Sequence, residues 1–476
     1  MKTFIAIDLG ASNGRVMKGC LEKDILTIEE MHRFEHSMKN TDSRLFWDWD
    51  LIMKNIYRGL SSLAIKNADG TAITSISCSS WAQDFGLLDE QGELFYAPRS
   101  YRDPRTKGMP GSLSDIIQIQ DLLSRTGAGA LPVTTLCQLR AMSLQEPGKL
   151  EKAAALLFIA DLVHYALCGK AETDRTFATV SQIFSLETEI WDTDLLDMLG
   201  IPSHSLPPIA GAPKILGSTI SSEKIGPALD GVPVVVCAGH DTAAASSCAW
   251  SKDQDKLFLS LGTWAMMGCC IGDEALFTDK IAETGCVLMG IPDNKWAVFC
   301  PETGLWPLQE CQRQWVRDGS SMEYEQLAGQ ASHASIETVI DLSDSRFHAP
   351  RNMTDEIRTA CREAGVKKPE TPGEFTKVIL DSIALCLKKD VERLHVLTGR
   401  IFTSIQVTSG GSRNTYLCRK LADALGMTVK AGPAEATAIG NMINQSLAMG
   451  TLSSWKEAAR VLDNSFPCII YEPDNG

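Results

Sequence analysis

The sequence predicts an α/β protein assembled from two copies of one module. Its 476 residues exceed what one hydrophobic core of ordinary size accommodates, so two large domains are expected. Buried strands and amphipathic helices follow one another along the chain. Residues 257–268, LFLSLGTWAMMG, also repeat the pattern of residues 4–19, FIAIDLGASNGRVMKG. Both stretches contain a strand, Leu-Gly, a turn of small residues and a second strand, which indicates a diverged internal repeat. We therefore expect domains at 1–245 and 246–476, each presenting its hairpin to a shared cleft.

The composition excludes several classes of partner. The net charge is −14 and lysine and arginine do not cluster, so neither nucleic acid nor an anionic membrane surface is an expected partner, and a small neutral substrate fits better. The 15 cysteines are scattered without a C-x-x-C pair, which is typical of reduced, buried thiols. No secretory segment and no run of about 20 apolar residues is found, so we expect a cytoplasmic protein without membrane spans.

The first hairpin has the features of a phosphate site. An apolar strand, Phe4 to Ile7, stops at Asp8, and the small residues Ala11, Ser12 and Asn13 form the turn that follows. Small residues let backbone N–H groups approach a phosphate, and a carboxylate at a strand end can hold a divalent cation. Arg15 then leads into a second strand rather than a helix, so the stretch is not a P-loop. An ordinary hairpin turn is the alternative interpretation.

Two further acids follow buried strands in the first half of the chain. The strand Ile73–Cys78 leads into a polar segment that contains Trp81 and Asp84, and a β-branched strand at 232–237 leads into the pair His240–Asp241. Asp241 alone could be explained as a helix N-cap. One cap does not explain three acids at strand ends, and ligands bind at the carboxyl ends of strands in α/β sheets. We therefore predict that Asp8, Asp84 and Asp241 face one cleft.

Other segments allow two interpretations or predict scaffold. The loop YAPRSYRDPRT at 96–106 fits a solvated, salt-bridged loop as well as a substrate contact. Trp47, Trp49 and Trp81 could stack on a bound ligand, but core packing is expected for at least two of them. A long amphipathic helix beginning near Phe375 is expected to be core scaffold.

Nine motifs form one ordered set between residues 4 and 441: IDLGASNGRV, FWDWD, SWAQDFGLLDEQG, SYRDPRT, AGHDTAAA, LSLGTWAMMG, TGLWPLQECQRQW, VTSGGSRNTYLCRKLADALG and AGPAEATAIGN. In this order they resemble the motifs of the FGGY carbohydrate kinases, members of the actin-like, ribonuclease-H-like ATPase superfamily. The resemblance implies two ribonuclease-H-like domains with a central cleft. The first, 1–245, would bind the sugar and carry the catalytic base, and the second, 246–476, would bind ATP.

The resemblance also implies roles for individual residues. ATP and Mg²⁺ are the implied cofactors, with Asp8 as the metal ligand and Asp241 as the proton acceptor. The implied nucleotide contacts are Asp8, Ala11, Ser12, Asn13 and Arg15 in the first hairpin, Thr263 and Gln309 in the second domain, and Gly410, Gly411 and Asn414 at the adenosine. The implied sugar contacts are Trp81, Ala82, Asp84, His240, Asp241 and Thr242.

The implied reaction is ATP-dependent phosphorylation of the primary C1 hydroxyl of a 6-deoxyketose. L-Rhamnulose is the first expectation, L-fuculose the second, and D-xylulose or glycerol are more remote. Three positions depart from the family pattern: Ala82 replaces a glycine, Pro301 replaces an asparagine that contacts the sugar, and Ser412 replaces the third glycine of the adenosine loop. An actin-like ATPase without sugar kinase activity and a sugar-sensing regulator are the alternatives from other classes. The oligomeric state is expected to be monomer or homodimer.

Overall fold

The computed structural model describes residues 1–66, 72–211, 213–249, 255–272, 280–281, 284–320, 322–347 and 350–474. The chain divides into two compact units, each assembled from three segments. The first unit comprises Met1–Trp250, Ile271–Ala297 and Thr437–Ser465, and the second comprises Ser251–Cys270, Val298–Ala436 and Phe466–Gly476.

The described strands are numbered in chain order. They are β1 (Lys2–Leu9), β2 (Asn13–Glu22), β3 (Ile25–Glu35), β4 (Met38–Thr41), β5 (Arg44–Trp47), β6 (Ile73–Ser80), β7 (Phe85–Leu88), β8 (Leu94–Tyr96), β9 (Ala155–Phe158), β10 (Thr173–Asp174), β11 (Ile209–Ala210), β12 (Lys214–Ser218), β13 (Pro233–Val236), β14 (Lys256–Leu261), β15 (Trp264–Ile271), β16 (Val287–Ile291), β17 (Lys295–Thr303), β18 (Ser404–Thr408), β19 (Thr428–Ala431) and β20 (Ile469–Tyr471).

The α-helices within the described ranges are numbered in the same way. They are α1 (Trp49–Lys66), α2 (Met109–Ser114), α3 (Ile119–Thr126), α4 (Thr135–Gln145), α5 (Pro147–Lys152), α6 (Ile159–Cys168), α7 (Arg175–Val180), α8 (Thr193–Met198), α9 (Asp241–Ser246), α10 (Trp306–Arg317), α11 (Tyr324–His333), α12 (Met353–Glu363), α13 (Pro372–Thr398), α14 (Thr415–Leu425), α15 (Ala436–Ala448) and α16 (Trp455–Ser465).

The main sheet of the first unit has the strand order β12-β13-β6-β1-β2-β3. Strands β1, β6 and β13 run parallel, β1 to β3 form an antiparallel meander, and β12 pairs antiparallel with β13. Helix α1 packs against β2 and β3, and α6 packs against β6 and β13. Parallel strands that are buried on both faces have continuous apolar sequences, which explains why every residue from Phe4 to Ile7 is apolar.

The second unit repeats this arrangement. Its strands follow the order β20-β19-β18-β14-β15-β17. Strands β14, β18 and β19 are parallel, β15 pairs antiparallel with β14, and β20 pairs antiparallel with β19. Thus β14 corresponds to β1, β18 to β6 and β19 to β13. The predicted repeat and the predicted α/β class are both confirmed.

Helix α15 packs on the first sheet, although the predicted boundary placed residues 437–465 in the second domain. A buried ladder of hydrogen bonds explains its position. Gln445 accepts a hydrogen bond from Ser75 Oγ at 2.6 Å and donates one to the Ile5 carbonyl at 2.9 Å. A Cβ added to Gly440 would lie 1.8 Å from the Ala244 carbonyl oxygen, so only glycine permits this close approach.

The long helix predicted near Phe375 is confirmed as α13. Thr371 and Glu374 form a capping box at its N-terminus, and Gly399 ends it with a positive φ of 70°. Phe375, Ile379, Ile383 and Leu387 are buried, as expected for scaffold. Among the described residues, no helix is both long and apolar enough to cross a membrane.

Candidate functional site

The ends of three parallel strands meet in the first unit. Trp81, just beyond β6, donates its backbone N–H to the Leu9 carbonyl at the end of β1 at 3.0 Å. Ser80 donates its N–H to the Gly239 carbonyl in the turn after β13 at 2.7 Å. These bonds place the segments that carry Asp8, Asp84 and Asp241 side by side in the sheet order. That Asp8, Asp84 and Asp241 face one cleft remains a prediction, because it requires each side chain to be accessible as well as adjacent.

The first hairpin is closed by its own backbone. Gly10 donates its N–H to the Asn13 carbonyl at 2.9 Å, which leaves Ala11 and Ser12 at the tip, both half-buried. Asp8 is buried and pairs across the strands with Arg15, whose Nη2 lies 2.7 Å from Asp8 Oδ2. The hairpin therefore presents a guanidinium and a carboxylate next to a turn of small residues.

Asp241 is the first residue of α9, and the N-cap position belongs to His240. Its Oδ1 accepts hydrogen bonds from the Thr242 N–H at 2.6 Å and the Thr242 hydroxyl at 3.3 Å. Burial raises the pKa of Asp241 to about 7, the negative charge of Asp8 adds to the increase, and the Thr242 hydrogen bonds oppose it. Asp241 therefore exchanges its proton close to neutral pH, which suits a general base.

His240 is neutral at this pH. Burial lowers its pKa to about 4. Its Nε2 lies 3.3 Å from Asp241 Oδ1, and its Nδ1 lies 3.1 Å from the sulfur of Met289. The imidazole thus adjoins Asp241 without contributing a positive charge that would lower the pKa of the carboxyl.

Asp84 is enclosed by protein groups. Its Oδ2 accepts hydrogen bonds from Trp47 Nε1 at 2.6 Å and Trp81 Nε1 at 3.0 Å, and its Oδ1 accepts one from Gln138 Nε2 at 3.1 Å. The residue is 0% exposed. Burial raises the pKa of Asp84 to about 6, and the indole and amide hydrogen bonds oppose the increase. A direct contact between Asp84 and a sugar remains a prediction, because the described contacts of the carboxylate are all internal.

An aromatic cluster adjoins the first hairpin. The ring centroids of Trp47 and Trp81 lie 4.5 Å apart, and His36 stacks on Trp81 at 5.3 Å. His36 Nε2 also bonds the Gly10 carbonyl at 2.8 Å. Trp47 and Trp81 belong to the buried core, as expected for two of the three tryptophans, and Ala82 is 9% exposed. The sugar contacts expected for Trp81 and Ala82 remain predictions.

The arginine-rich loop at 96–106 is salt-bridged but buried, so a solvated loop is the wrong description. Arg99 pairs with Asp103 at 2.9 Å, and Arg105 donates to Gln138 Oε1 at 2.6 Å. Gln138 thereby links the loop to Asp84. Sequence reasoning missed Gln138, because an isolated glutamine in a helical pattern gives no signal of burial.

In the second unit, the hairpin between β14 and β15 packs on the start of α10. The Thr263 hydroxyl donates to Gln309 Oε1 at 3.2 Å, and Leu305 donates its N–H to the Gly262 carbonyl at 2.8 Å. A Cβ on Gly304 would lie 2.5 Å from the Trp264 carbonyl carbon. The structure therefore brings together Thr263 and Gln309, two predicted nucleotide contacts.

The predicted adenosine loop is a 3-10 turn after β18, Gly410–Arg413. Its two glycines differ. A Cβ on Gly411 would lie 2.4 Å from Leu261 Cγ, whereas a Cβ on Gly410 would meet no atom within 4 Å. Asn414 caps α14 by accepting the Leu417 N–H at 3.0 Å, so its described bond is structural.

One further cluster has the chemistry of metal ligands. Ligand atoms of Glu302, Cys386 and Asp390 lie within 4.8 Å of one another. Arg393 donates to Glu302 at 2.9 Å and to Asp390 at 2.6 Å, so a guanidinium already compensates both carboxylates. This cluster is an ion-pair network rather than a candidate cation site.

Comparison with family models matches the two halves of the chain to two domains of one family. Residues 3–248 match the N-terminal domain, and residues 257–449 the C-terminal domain, of the FGGY family of carbohydrate kinases. The rhamnulokinase of Yersinia pestis (strain Pestoides F) is 37% identical over 467 residues, which cover 98% of this chain and 94% of the relative. The rhamnulokinase of Oceanobacillus iheyensis is 32% identical over 469 residues, with 98% and 97% covered.

Solved structures show the same fold at lower identity. Xylulose kinase from Rhodospirillum rubrum superposes with a TM-score of 0.76 at 16% identity, covering 100% of this chain and 95% of that structure. Glycerol kinase from Plasmodium falciparum, solved with ADP, gives a TM-score of 0.78 at 16% identity, covering 100% and 94%.

We predict that Asp84→Asn destabilises the first unit. The carboxylate accepts three N–H donors, and an asparagine amide would turn one of its own N–H groups toward them. Leaving a buried donor unsatisfied costs about 1–3 kcal/mol, which urea denaturation followed by tryptophan fluorescence measures. Asp115→Asn, at an exposed aspartate, is the control and should leave the free energy of unfolding unchanged. Equal stability of both variants would contradict the assigned role of Asp84.

Proposed function

Because the chain belongs to the FGGY family of carbohydrate kinases and is therefore a sugar kinase, we propose that it phosphorylates the C1 hydroxyl of a 6-deoxyketose, with L-rhamnulose as its substrate and ATP as the phosphate donor. The names of the relatives that match nearly the whole chain support this substrate. The observation that best supports this reaction is the position and pKa of Asp241. Its carboxyl lies at the start of a helix, and its pKa is near neutrality.

In the proposed reaction, Asp241 takes the proton of the primary hydroxyl while the sugar oxygen attacks the γ-phosphorus of ATP. The bond from that phosphorus to the β–γ bridging oxygen breaks, and ADP leaves. A base with a pKa near the working pH combines an adequate ionised fraction with useful basicity. His240 Nε2 lies 3.3 Å from Asp241 Oδ1, and the ring is neutral. It can therefore form a hydrogen bond with a sugar hydroxyl without lowering the pKa of Asp241.

The first hairpin supports the binding of phosphate and Mg²⁺. The charge of Asp8 raises the pKa of Asp241, so the two carboxylates are electrostatically coupled, and a divalent cation beside Asp8 would relieve their repulsion. When bound, Mg²⁺ neutralises charge on the β- and γ-phosphate oxygens. Arg15 and the backbone N–H groups around Ala11 and Ser12 supply donors for the phosphates.

We propose that the second unit binds the nucleotide. The Thr263 hydroxyl and the Gln309 amide, which contact each other, would hold the phosphates. Gly410, whose Cβ direction is open, would leave room for the flat adenine ring, while Gly411 serves packing against Leu261.

The reaction is tested by measuring ADP release with Mg-ATP and L-rhamnulose, L-fuculose, D-xylulose, L-ribulose, glycerol or no acceptor. We expect sugar-dependent ADP release that is greatest with L-rhamnulose, and an L-rhamnulose 1-phosphate product. Greater turnover with L-fuculose would identify L-fuculose as the substrate and leave the proposed phosphorylation reaction unchanged. ADP release that is independent of every sugar would contradict the proposed reaction and favour an actin-like ATPase.

Asp241→Asn should lower kcat by about 10²–10⁴-fold because the general base is removed. In the wild type, kcat/KM should rise with pH and level off above about pH 7, as Asp241 ionises. The same substitution also tests the stability of the fold. The pKa of Asp241 in the folded state lies above its value in the unfolded chain, so the contribution of Asp241 to the free energy of unfolding is lost as pH rises through about 7. Asp241→Asn should therefore gain stability relative to wild type at pH 8 but not at pH 4. Asp230→Asn, an exposed control, should change neither quantity. Wild-type kcat in Asp241→Asn would refute this base.

The two glycines of the adenosine loop give a matched pair of variants. Gly410→Val should raise Kd for ADP about tenfold or more without lowering Tm, because its side chain enters space proposed for adenine. Gly411→Ala should instead lower Tm, because its Cβ meets Leu261. Isothermal titration with ADP and thermal denaturation measure both effects. Unchanged nucleotide affinity in Gly410→Val would contradict the proposed position of adenine beside Gly410.

A further inference from the structure

The turn that presents Asp241 is conformationally restricted. Ala238 has a positive φ of 44°, which is unfavourable for a residue with a side chain. At Gly239 an added Cβ would lie 2.6 Å from Phe177 Cε2 and 3.1 Å from Asp174 Cβ. Such a conformation persists only where neighbouring groups hold it.

One end of this turn is held by β6 and α15. Ser79 donates its hydroxyl to the Ala238 carbonyl at 2.8 Å, and Asn441 Nδ2 donates to Ser79 Oγ at 2.8 Å. Both side chains are fully buried. This end is therefore anchored before the catalytic pair begins.

At the other end, the Gly239 carbonyl accepts the Ser80 N–H, and a side-chain hydroxyl holds the next N–H. His240 donates its backbone N–H to Thr176 Oγ1 at 3.0 Å. The same hydroxyl donates to Asp174 Oδ1, which also accepts the Thr176 N–H at 2.8 Å. Because the carboxylate fixes the direction of the hydroxyl hydrogen, an oxygen lone pair is directed at His240. Thr176 and Asp174 are 4% and 3% exposed, so water does not readily replace either partner.

We propose that Thr176, oriented by Asp174, is a positioning residue that fixes the peptide between Gly239 and His240, directly before Asp241, and thereby aims the general base. Neither side chain needs to touch the sugar. This inference rests on the proposed function, because it assigns Thr176 a role through Asp241. Displacement of a reacting group by about 1 Å can cost about 100-fold in rate, so a lost backbone anchor next to the base should act on kcat.

The test compares three variants of the full-length enzyme. Thr176→Val keeps the shape of the side chain but removes the hydroxyl, and should lower kcat by about 10- to 100-fold with KM for the ketose nearly unchanged. Thr176→Ser keeps the hydroxyl and should restore most of kcat. Thr126→Val is the matched control, because Thr126 is also buried in the first unit but bonds only carbonyls of its own segment. It should lower Tm comparably and leave kcat unchanged.

The outcomes separate this inference from the proposed function. An active wild type with full kcat in Thr176→Val, or no recovery in Thr176→Ser, would overturn the positioning role alone. A wild type that phosphorylates none of the acceptors would overturn the proposed function, and this inference with it. If Thr176→Val does not fold, Asp174→Asn weakens the same anchor by removing the charge that orients the hydroxyl. That variant should likewise lower kcat without raising KM for the ketose, and full kcat there would contradict the inference.

Discussion

Two backbone hydrogen bonds hold the candidate chemistry of the first unit together. One joins Trp81 to Leu9, and the other joins Ser80 to Gly239. They continue the parallel pairing of β1, β6 and β13 beyond the regular strands, so the three segments that follow stay adjacent. Without that continuation, the carboxyl ends of the strands would be free to diverge, and residues far apart in sequence would not share a site.

Strained turns recur where these strands end. Positive φ angles occur at Gln83 after β6, at Ala238 after β13 and at Ser409 after β18. Each turn is tied by hydrogen bonds: Gln83 bonds Thr135 and Val180, and Ser409 bonds the Pro433 carbonyl. Strain of this kind gathers at functional sites, where surrounding structure keeps an unfavourable conformation because it aims a side chain.

The two units share a topology but differ in chemistry. Asp8 in the first hairpin corresponds to Ser260 in the second, and Ser260 bonds the hydroxyl of Ser409 rather than an arginine. One hairpin therefore concentrates charge, while the other presents neutral hydroxyls. Charge in the first unit also raises the pKa of Asp241, so in the proposed reaction the asymmetry between the repeats places the charged groups beside the general base.

The sequence alone determined the hairpins, the strand-ending acids, the repeat and the family, because turn chemistry and apolar periodicity act over a few residues. Only the tertiary structure revealed the enclosure of Asp84 by Gln138, 54 residues away, and the bond from His240 to Thr176, 64 residues away. It alone also showed that α15 packs on the first sheet, through bonds such as Asn441 to Ser79 that span 362 residues. A polar side chain gives no local sign of its distant partner, so burial and long-range hydrogen bonding decided these positions.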